Sequence, residues 1–192
     1  MRLLLCIVLS VVSPASTSAA ATPDGGPRIR PQDTRSKQIL EEGRARSETF
    51  RALVNRIEAS QVIVYVATYP LIKKNLSGTL TWMTQAGGFR YVRASISPDL
   101  LFHQAIATVA HELRHAVEVI EDQTVYDEKS LVAMYRRIGH RSRSTSAEAW
   151  ETADAQETGW QVRRELVSPQ MPAVSRTGER THRAERGQDT LR

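Results

Sequence analysis

The stretch 111–115 constrains the fold of this chain more than any other part of its sequence, because it reads HExxH inside a predicted helix. Residues four positions apart lie on one face of an α-helix, so the imidazoles of His111 and His115 can both reach a single metal ion. Two neutral imidazoles suit zinc, and Glu112 can act on a water molecule held by that metal. The motif therefore predicts a zinc-binding helix that carries a general base.

The residues around the motif predict a long amphipathic helix. Ser97 is suited to the N-cap, Pro98 to the first helical position and Asp99 to the positive end of the helix dipole. Apolar residues then recur at three- and four-residue steps and form one face, which consists of Leu101, Ile106, Val109, Leu113, Val117 and Ile120. This context favours a zinc site over an ordinary surface helix with two solvated histidines.

HExxH on a capped amphipathic helix resembles the signature of the zincin superfamily of metallopeptidases. The resemblance covers the layout of residues 60–167. It implies that His111 and His115 are zinc ligands, that Glu112 is the catalytic general base and that the protein hydrolyses peptide bonds. It also implies an α+β fold, in which a small mixed or antiparallel sheet packs on the active-site helix and further helices follow towards the C-terminus.

The order of predicted elements indicates one zincin-like domain, 35–167. Residues 22–34 carry prolines and a Gly-Gly pair and are typical of a linker. A helix is expected from Thr34 to about Ala59, with a break near Gly43 allowed. Strands are predicted at 61–68, 79–84 and 89–96, and helices at 128–138 and 146–167. The strand 89–96 is the candidate edge strand for binding an extended peptide, although an internal place fits equally well.

A catalytic zinc site needs a third protein ligand. The metzincin branch of the superfamily is excluded, since its third ligand would fall at Glu121, which faces away from the histidines. The gluzincin branch takes a glutamate from a later helix. That favours Glu151 over Glu148, because Glu148 fits a capping box at the predicted start of the last helix. His140 is a third choice, but it lies in an arginine-rich loop whose charge disfavours a metal.

The sequence leaves two further roles at the site open. The gluzincin pattern often places an acid four residues after the ligand glutamate, where this chain has Ala155, with Asp154 one position earlier. A partner for the oxyanion of the reaction is also needed, and Tyr126, Tyr135 and His103 are all available. Nothing in the sequence selects one of the three.

The N-terminus predicts secretion. Arg2 provides a positive charge, residues 3–12 are apolar apart from Ser10, and residues 13–21 are small and polar with alanines suited to cleavage, so 1–21 is assigned to a signal peptide. This apolar run is too short to span a bilayer, which needs about twenty residues, so no stable membrane anchor is expected. The only cysteine, Cys6, falls inside this segment. Zinc in the secreted or periplasmic protein must therefore rest on histidine and carboxylate.

The net charge of +5 does not indicate a nucleic-acid partner. Part of the charge lies in residues 168–192, which contain almost no large apolar side chains and are predicted to be a disordered basic tail. A basic stretch at 136–143 lacks the interleaved aromatic residues of surfaces that bind nucleic acids. It is expected to be a solvated loop between helices, with docking of an anionic partner as the alternative.

These observations favour a secreted zinc metallopeptidase that acts on a peptide or protein substrate, with Glu112 as general base. Two alternatives remain. One is a catalytically inactive zincin-fold module that binds metal or a partner, which the small size of the chain would fit. The other is a non-enzymatic secreted helical protein in which the motif is coincidental. Nothing in the sequence indicates the substrate preference or the oligomeric state.

Overall fold

The computed structural model describes residues 25–70, 76–141 and 150–168. Within these ranges the chain forms an α+β fold with five helices, a mixed four-stranded sheet and a two-stranded ribbon. In chain order the elements are β1 (Ile29–Pro31), α1 (Thr34–Arg46), α2 (Glu48–Glu58), β2 (Val62–Thr68), β3 (Gly78–Ala86), β4 (Phe89–Ile96), α3 (Phe102–Glu121), α4 (Glu128–Ile138), β5 (His140–Arg141), β6 (Trp150–Glu151) and α5 (Ala153–Val167). The expected α+β class is confirmed. The predicted signal peptide, 1–21, and the predicted tail beyond Ser168 lie outside the described residues.

The sheet places β3 at one edge. Its strand order is β1-β2-β4-β3, with β1, β2 and β4 parallel and β3 antiparallel to β4. Gly87 and Gly88 connect β3 to β4 with φ angles of 57° and 81°, which glycine adopts without steric cost. The suggestion that 89–96 is the edge strand is wrong. β4 is internal because β2 pairs with it in parallel along its length, and β3 occupies the edge instead.

A serine separates the first two helices. Ser47 is both the C-cap of α1 and the N-cap of α2, where its Oγ accepts a hydrogen bond from the N–H of Phe50 at 3.0 Å. The helix break that the sequence allowed near Gly43 therefore occurs at Ser47 instead. Gly43 instead lets the two helices approach each other, since a Cβ there would lie 2.7 Å from the Phe50 ring. The linker assigned to 22–34 is wrong for residues 29–31, which form β1, and Asp33 caps α1.

The central helix of the core is α3. It contacts the sheet, α1, α2 and, most extensively, α5. The expected apolar face is buried from Ile106 to Val117. At the C-terminal end of α3, the buried Arg90 donates hydrogen bonds to the carbonyl oxygens of Val119 at 2.6 Å and Asp122 at 2.9 Å. Arg90 thus joins β4 to the end of the helix and satisfies carbonyl groups that have no partner within it.

The motif helix begins later than the sequence suggested. It starts at Phe102, so Ser97 is not its N-cap, and residues 98–99 form a turn that precedes the helix. Leu101, expected on the buried face, is 61% exposed. The turn is held from outside the motif, because the guanidinium of Arg35 donates to the carbonyl oxygen of Leu100 at 2.6 Å. The first turn of the helix is capped locally, since Oε1 of Gln104 accepts a hydrogen bond from the N–H of Leu101 at 3.3 Å.

Within the three described ranges, no helix combines the length and the apolar character that a membrane span requires.

Candidate metal centre

Two elements bring a histidine pair and a glutamate together. α3 carries His111 and His115 one helical turn apart, and β6 carries Glu151. One ligand atom of each residue lies within 4.8 Å of the other two. The Nε2 atom of His111 is 3.1 Å from Oε2 of Glu151, and the two imidazole rings meet edge to face with their centroids 4.8 Å apart. This buried group could hold a metal ion.

The chemistry of the three residues fits a metal. Two imidazoles and one carboxylate are a ligand set of catalytic zinc sites, which use three protein ligands. The buried Oε2 atom of Glu151 faces Nε2 of His111 at 3.1 Å, a contact that is an ion pair only when the ring is protonated. With a neutral ring, a cation between these two atoms would compensate the buried carboxylate. The arrangement is therefore the one expected of metal ligands.

A carboxylate on the motif helix orients the second histidine. The Nδ1 atom of His115 lies 2.8 Å from Oε2 of Glu118, and Oε1 of Glu118 accepts a hydrogen bond from the Thr152 hydroxyl at 2.5 Å. Because Glu118 engages Nδ1, the Nε2 atom of His115 remains for a metal. This role of Glu118 was not predicted from the sequence. The signal was present, since residues three apart on a helix are neighbours.

Burial and neighbouring charges oppose each other at the site. Burial would lower the pKa of His111, but the carboxylates of Glu151, Glu112 and Glu118 outweigh it and raise that pKa above its ordinary value. For Glu112, burial raises the pKa, and the two imidazoles only partly offset the rise. Burial also acts to raise the pKa of Glu151, but the contact with His111 outweighs burial and lowers this pKa below its ordinary value. The carboxylates around the two histidines thus favour the binding of a cation.

Glu112 lies beside the ligands and against the edge strand. It is 4% exposed, and its Oε2 has no hydrogen-bond partner. A Cβ at Gly78, the first residue of β3, would lie 2.6 Å from Oε1 of Glu112 and 2.7 Å from Cγ2 of Thr108. Only glycine leaves room there for the carboxylate. The start of β3 therefore fixes the position of Glu112.

Of the three residues considered for an oxyanion partner, Tyr135 lies at the site. Its ring meets the His115 ring edge to face at a centroid distance of 5.3 Å, and its buried hydroxyl has no hydrogen-bond partner. Burial and the nearby carboxylates raise the pKa of Tyr135 well above its ordinary value, so the hydroxyl stays protonated and can donate. Tyr126 is 61% exposed, and His103 is exposed at the start of α3.

Glu151, the predicted third ligand, reaches the site from a strand and not from a helix. The last helix was expected from Ser146, but α5 begins at Ala153, and Thr152 is its N-cap. Glu151 belongs to β6, which pairs with β5 so that His140 lies opposite it. The ribbon packs closely on the end of α4, since a Cβ at Gly139 would come within 2.6 Å of the Glu151 carbonyl oxygen.

The other candidates for the third ligand and its partner lie elsewhere. His140 is exposed and is not part of the group that could hold a metal. Glu148 and the capping box proposed for it lie outside the described residues. Asp154 pairs with the guanidinium of Arg114 at 2.7 Å and does not orient a histidine. Of the two proposed third ligands that the structure describes, Glu151 and His140, it brings only Glu151 to the histidine pair.

A cleft of about 200 Å³ runs beside this group. It lies between β3, α4 and β6, and it is lined by Gly78, Leu80, Trp82, Tyr135, Glu112 and the three ligand residues among others. Of the described elements that border it, β3 contributes a run of consecutive residues. An extended chain placed in the cleft would therefore lie along this strand.

The backbone of β3 is available to such a chain. The N–H of Ser97 donates to the carbonyl oxygen of Ser77 at 2.9 Å, which makes these two residues a hydrogen-bonded pair in the antiparallel ladder. Alternate residues then point their N–H and C=O groups away from β4. By this alternation the outward groups belong to Gly78, Leu80 and Trp82, and no strand of the described part of the chain pairs with them.

Comparisons of the chain with protein-family models, with curated proteins and with solved structures found no match.

Proposed function

We propose that this protein is a secreted zinc-dependent metallopeptidase in which His111, His115 and Glu151 hold Zn²⁺ and Glu112 is the general base. The convergence of the three ligand atoms within 4.8 Å of one another carries this proposal, because it unites an HExxH pair with a glutamate from a distant part of the chain. The mixed sheet, whose edge strand β3 lies beside the motif helix, supports the interpretation of the fold as zincin-like. Secretion rests on the composition of residues 1–21.

The side chains around the centre supply the remaining parts of a hydrolytic site. Bound zinc would act as a Lewis acid towards a carbonyl group and would make water acidic enough to ionise near pH 7. Glu112 accepts the proton of the attacking water and returns it to the leaving amine. Tyr135 donates its hydroxyl to the oxygen that becomes negative in the transition state. Glu118 keeps the His115 ring in position throughout.

An extended peptide is the substrate that suits the cleft. The outward backbone groups of Gly78, Leu80 and Trp82 allow a peptide to add to the sheet as a further strand, which is β-augmentation. Backbone pairing of this kind holds the substrate by its main chain and is largely independent of its sequence. Because Gly78 contacts Glu112, a peptide bound along β3 passes the general base.

The proposal is tested with zinc-loaded protein and the variant Glu112→Gln on a broad peptide library, with cleavage followed by mass spectrometry. The amide keeps the size of the side chain but cannot accept the proton. We expect cleavage by the wild type to fall at least about 10²-fold in the variant, which is the lower limit of what general-base catalysis contributes. Zinc content and melting temperature should stay close to those of the wild type.

A control and two contrary outcomes complete the experiment. Glu121→Gln removes an acid from the exposed side of the same helix, where it pairs with Arg114, and should leave cleavage unchanged. No cleavage by zinc-loaded wild type would favour an inactive zincin-fold module that binds metal or a partner. Equal cleavage by wild type and Glu112→Gln would overturn the assignment of the general base.

A further inference from the structure

A second groove also borders Glu112. Its volume is about 490 Å³, and it lies between one face of α3, one face of α5 and the start of β3. Gln104 and Glu112 mark its extent along α3, and Glu151 lines it as well. Eight residues of helix correspond to about 12 Å, which is the length of about three to four residues of extended chain. The groove therefore has room for a short peptide segment that continues from the metal centre.

Small residues on α3 and α5 keep this groove open next to His111. Gly159 on α5 lies against the ligand-bearing face of α3, where a Cβ would be 3.4 Å from the Ala107 carbonyl oxygen and 3.5 Å from Cβ of His111. Ala107 lines the same groove. A larger residue at either position would separate the helices or fill the space. The packing of α5 on α3 thus sets the width of the groove at its inner end.

The charge of the groove differs between its two ends. The inner end holds the carboxylates of Glu112 and Glu151, whereas α5 contributes Arg163 one helical turn beyond Gly159. Across the described part of the chain, Arg163 takes part in no ion pair or hydrogen bond. The neighbouring Trp160 also lines the groove and is 61% exposed. An exposed guanidinium beside an indole is thus available to a ligand.

We propose that this groove binds one side of the substrate and that Arg163 selects a carboxylate within about three residues of the cleaved bond. A guanidinium matches a carboxylate with two parallel hydrogen bonds, and Trp160 offers an apolar surface to the same segment. The carboxylate is held at Arg163, at the end of the groove away from Glu112 and Glu151. This inference rests on the proposed peptidase function. The carboxylate comes from an acidic side chain or from the C-terminus of the peptide.

Matched peptides distinguish these two sources. One set carries glutamate or glutamine at single positions within three residues of the cleavage site and is amidated at its C-terminus. A second set has no acidic residue and ends in a free or an amidated C-terminus. Affinity for zinc-loaded Glu112→Gln protein is measured by calorimetry, and kcat/KM is measured with the active protein. We expect one set to show a preference of about 10-fold or more for the carboxylate-bearing peptide, as a charge-assisted bond supplies.

Two variants decide whether Arg163 is responsible. Arg163→Gln should abolish the preference for the carboxylate-bearing peptide, and Arg163→Glu should reverse the preference towards lysine. Arg164→Gln is the matched control, since Arg164 is the next residue of α5 and bonds Glu157 and Gln161. It should retain the preference.

The binding measurement separates this inference from the peptidase proposal. Equal affinity for carboxylate and amide peptides in both sets, or a preference that survives Arg163→Gln, overturns the selection by Arg163 even if peptides are cleaved. Absence of cleavage overturns the peptidase proposal, whereas a preference in binding that Arg163→Gln abolishes still supports the groove.

Discussion

The Nδ1 atom of His115 lies 2.8 Å from Oε2 of Glu118, and the same carboxylate accepts a hydrogen bond from Thr152. Thr152 directly follows Glu151 and also caps α5, where its Oγ1 accepts from the N–H of Ala155 at 3.2 Å. These buried contacts therefore connect His115 on the motif helix, through Glu118, to Thr152, which is the residue next to Glu151. These contacts hold His115 in position and fix the residue next to Glu151, so two of the side chains that could hold a metal are ordered by the protein itself.

Replacing Glu118 with alanine should weaken zinc binding without removing any ligand. Loss of the partner of a ligating histidine typically lowers metal affinity about 10- to 100-fold, because the ring is no longer held in one orientation. Competition with a chelator of known affinity measures the change. Glu121→Ala, on the same helix but exposed, is the control and should bind zinc as the wild type does. An unchanged affinity in Glu118→Ala would mean that the contact has no part in metal binding.

Zinc content should depend on the three ligands. We expect about one zinc per chain in protein purified without chelators, and loss of the metal in His111→Ala and His115→Ala. Glu151→Ala should bind zinc more weakly, since two imidazoles would remain. Elemental analysis of the purified proteins provides the measurement, and His103→Ala, at the exposed start of the same helix, should keep its metal. A wild type that contains no zinc and takes up none would contradict the whole assignment.

Tyr135→Phe should reduce turnover but not stability. The Tyr135 hydroxyl is buried without a partner, so its removal should leave the melting temperature equal or slightly higher. If the hydroxyl stabilises the oxyanion, kcat should fall by about 10²-fold or more. Peptide hydrolysis and thermal melting are compared for Tyr135→Phe and for the exposed control Tyr126→Phe. Equal kcat in the two variants would assign Tyr135 to packing alone.

Gly78→Ala should displace the general base. The new Cβ would lie 2.6 Å from Oε1 of Glu112, so the carboxylate or β3 must shift. We expect a loss of stability of about 1–3 kcal/mol from overpacking, a large fall in kcat and retention of zinc. Denaturant unfolding, hydrolysis and zinc content are the three measurements. Gly25→Ala serves as control, because a Cβ there meets nothing within 4 Å. Full activity in Gly78→Ala would show that Glu112 tolerates the shift.

Glu165 should make the fold sensitive to acid. The carboxylate of Glu165 accepts hydrogen bonds from the hydroxyls of Ser47 and Thr49. Although burial alone would raise the pKa of Glu165, these contacts and Gln161 lower it from 4.5 to about 2. The folded state therefore favours the ionised form. Its contribution is present above the unfolded pKa, near 4.5, and is lost as the pH falls towards about 2.

The measurement for this prediction is the free energy of unfolding between pH 6 and pH 2. Because Glu165 is partly exposed, solvent screens its contacts, and we expect the wild type to lose about 1–2 kcal/mol more than Glu165→Gln over this range. Glu157→Gln, an exposed residue of the same helix that pairs with Arg164, should follow the wild type. Parallel curves for wild type and Glu165→Gln would rule out this contribution.

Local patterns were sufficient for part of the fold. The strand 89–96 and the helix 128–138 have the bounds expected from periodicity and turn residues, since neighbouring residues decide them. The same holds for the stacking of His111 and His115 on one face of a helix, which follows from helical geometry alone. The start of α3 was misplaced, because residues 98–99 form a turn and the helix begins only at Phe102, after a segment that the distant Arg35 contacts at Leu100.

The sequence by itself determined that this chain contains an amphipathic helix with two histidines and a glutamate in metal-binding order, and that the fold is α+β. Only the tertiary structure decided that Glu151 meets these histidines from a strand, that Glu118 and Tyr135 border His115, and that β3 is the edge strand beside them. The reason is physical. Helical spacing is set by residues within one turn, whereas strand order and contacts across the core depend on which distant segments pack together.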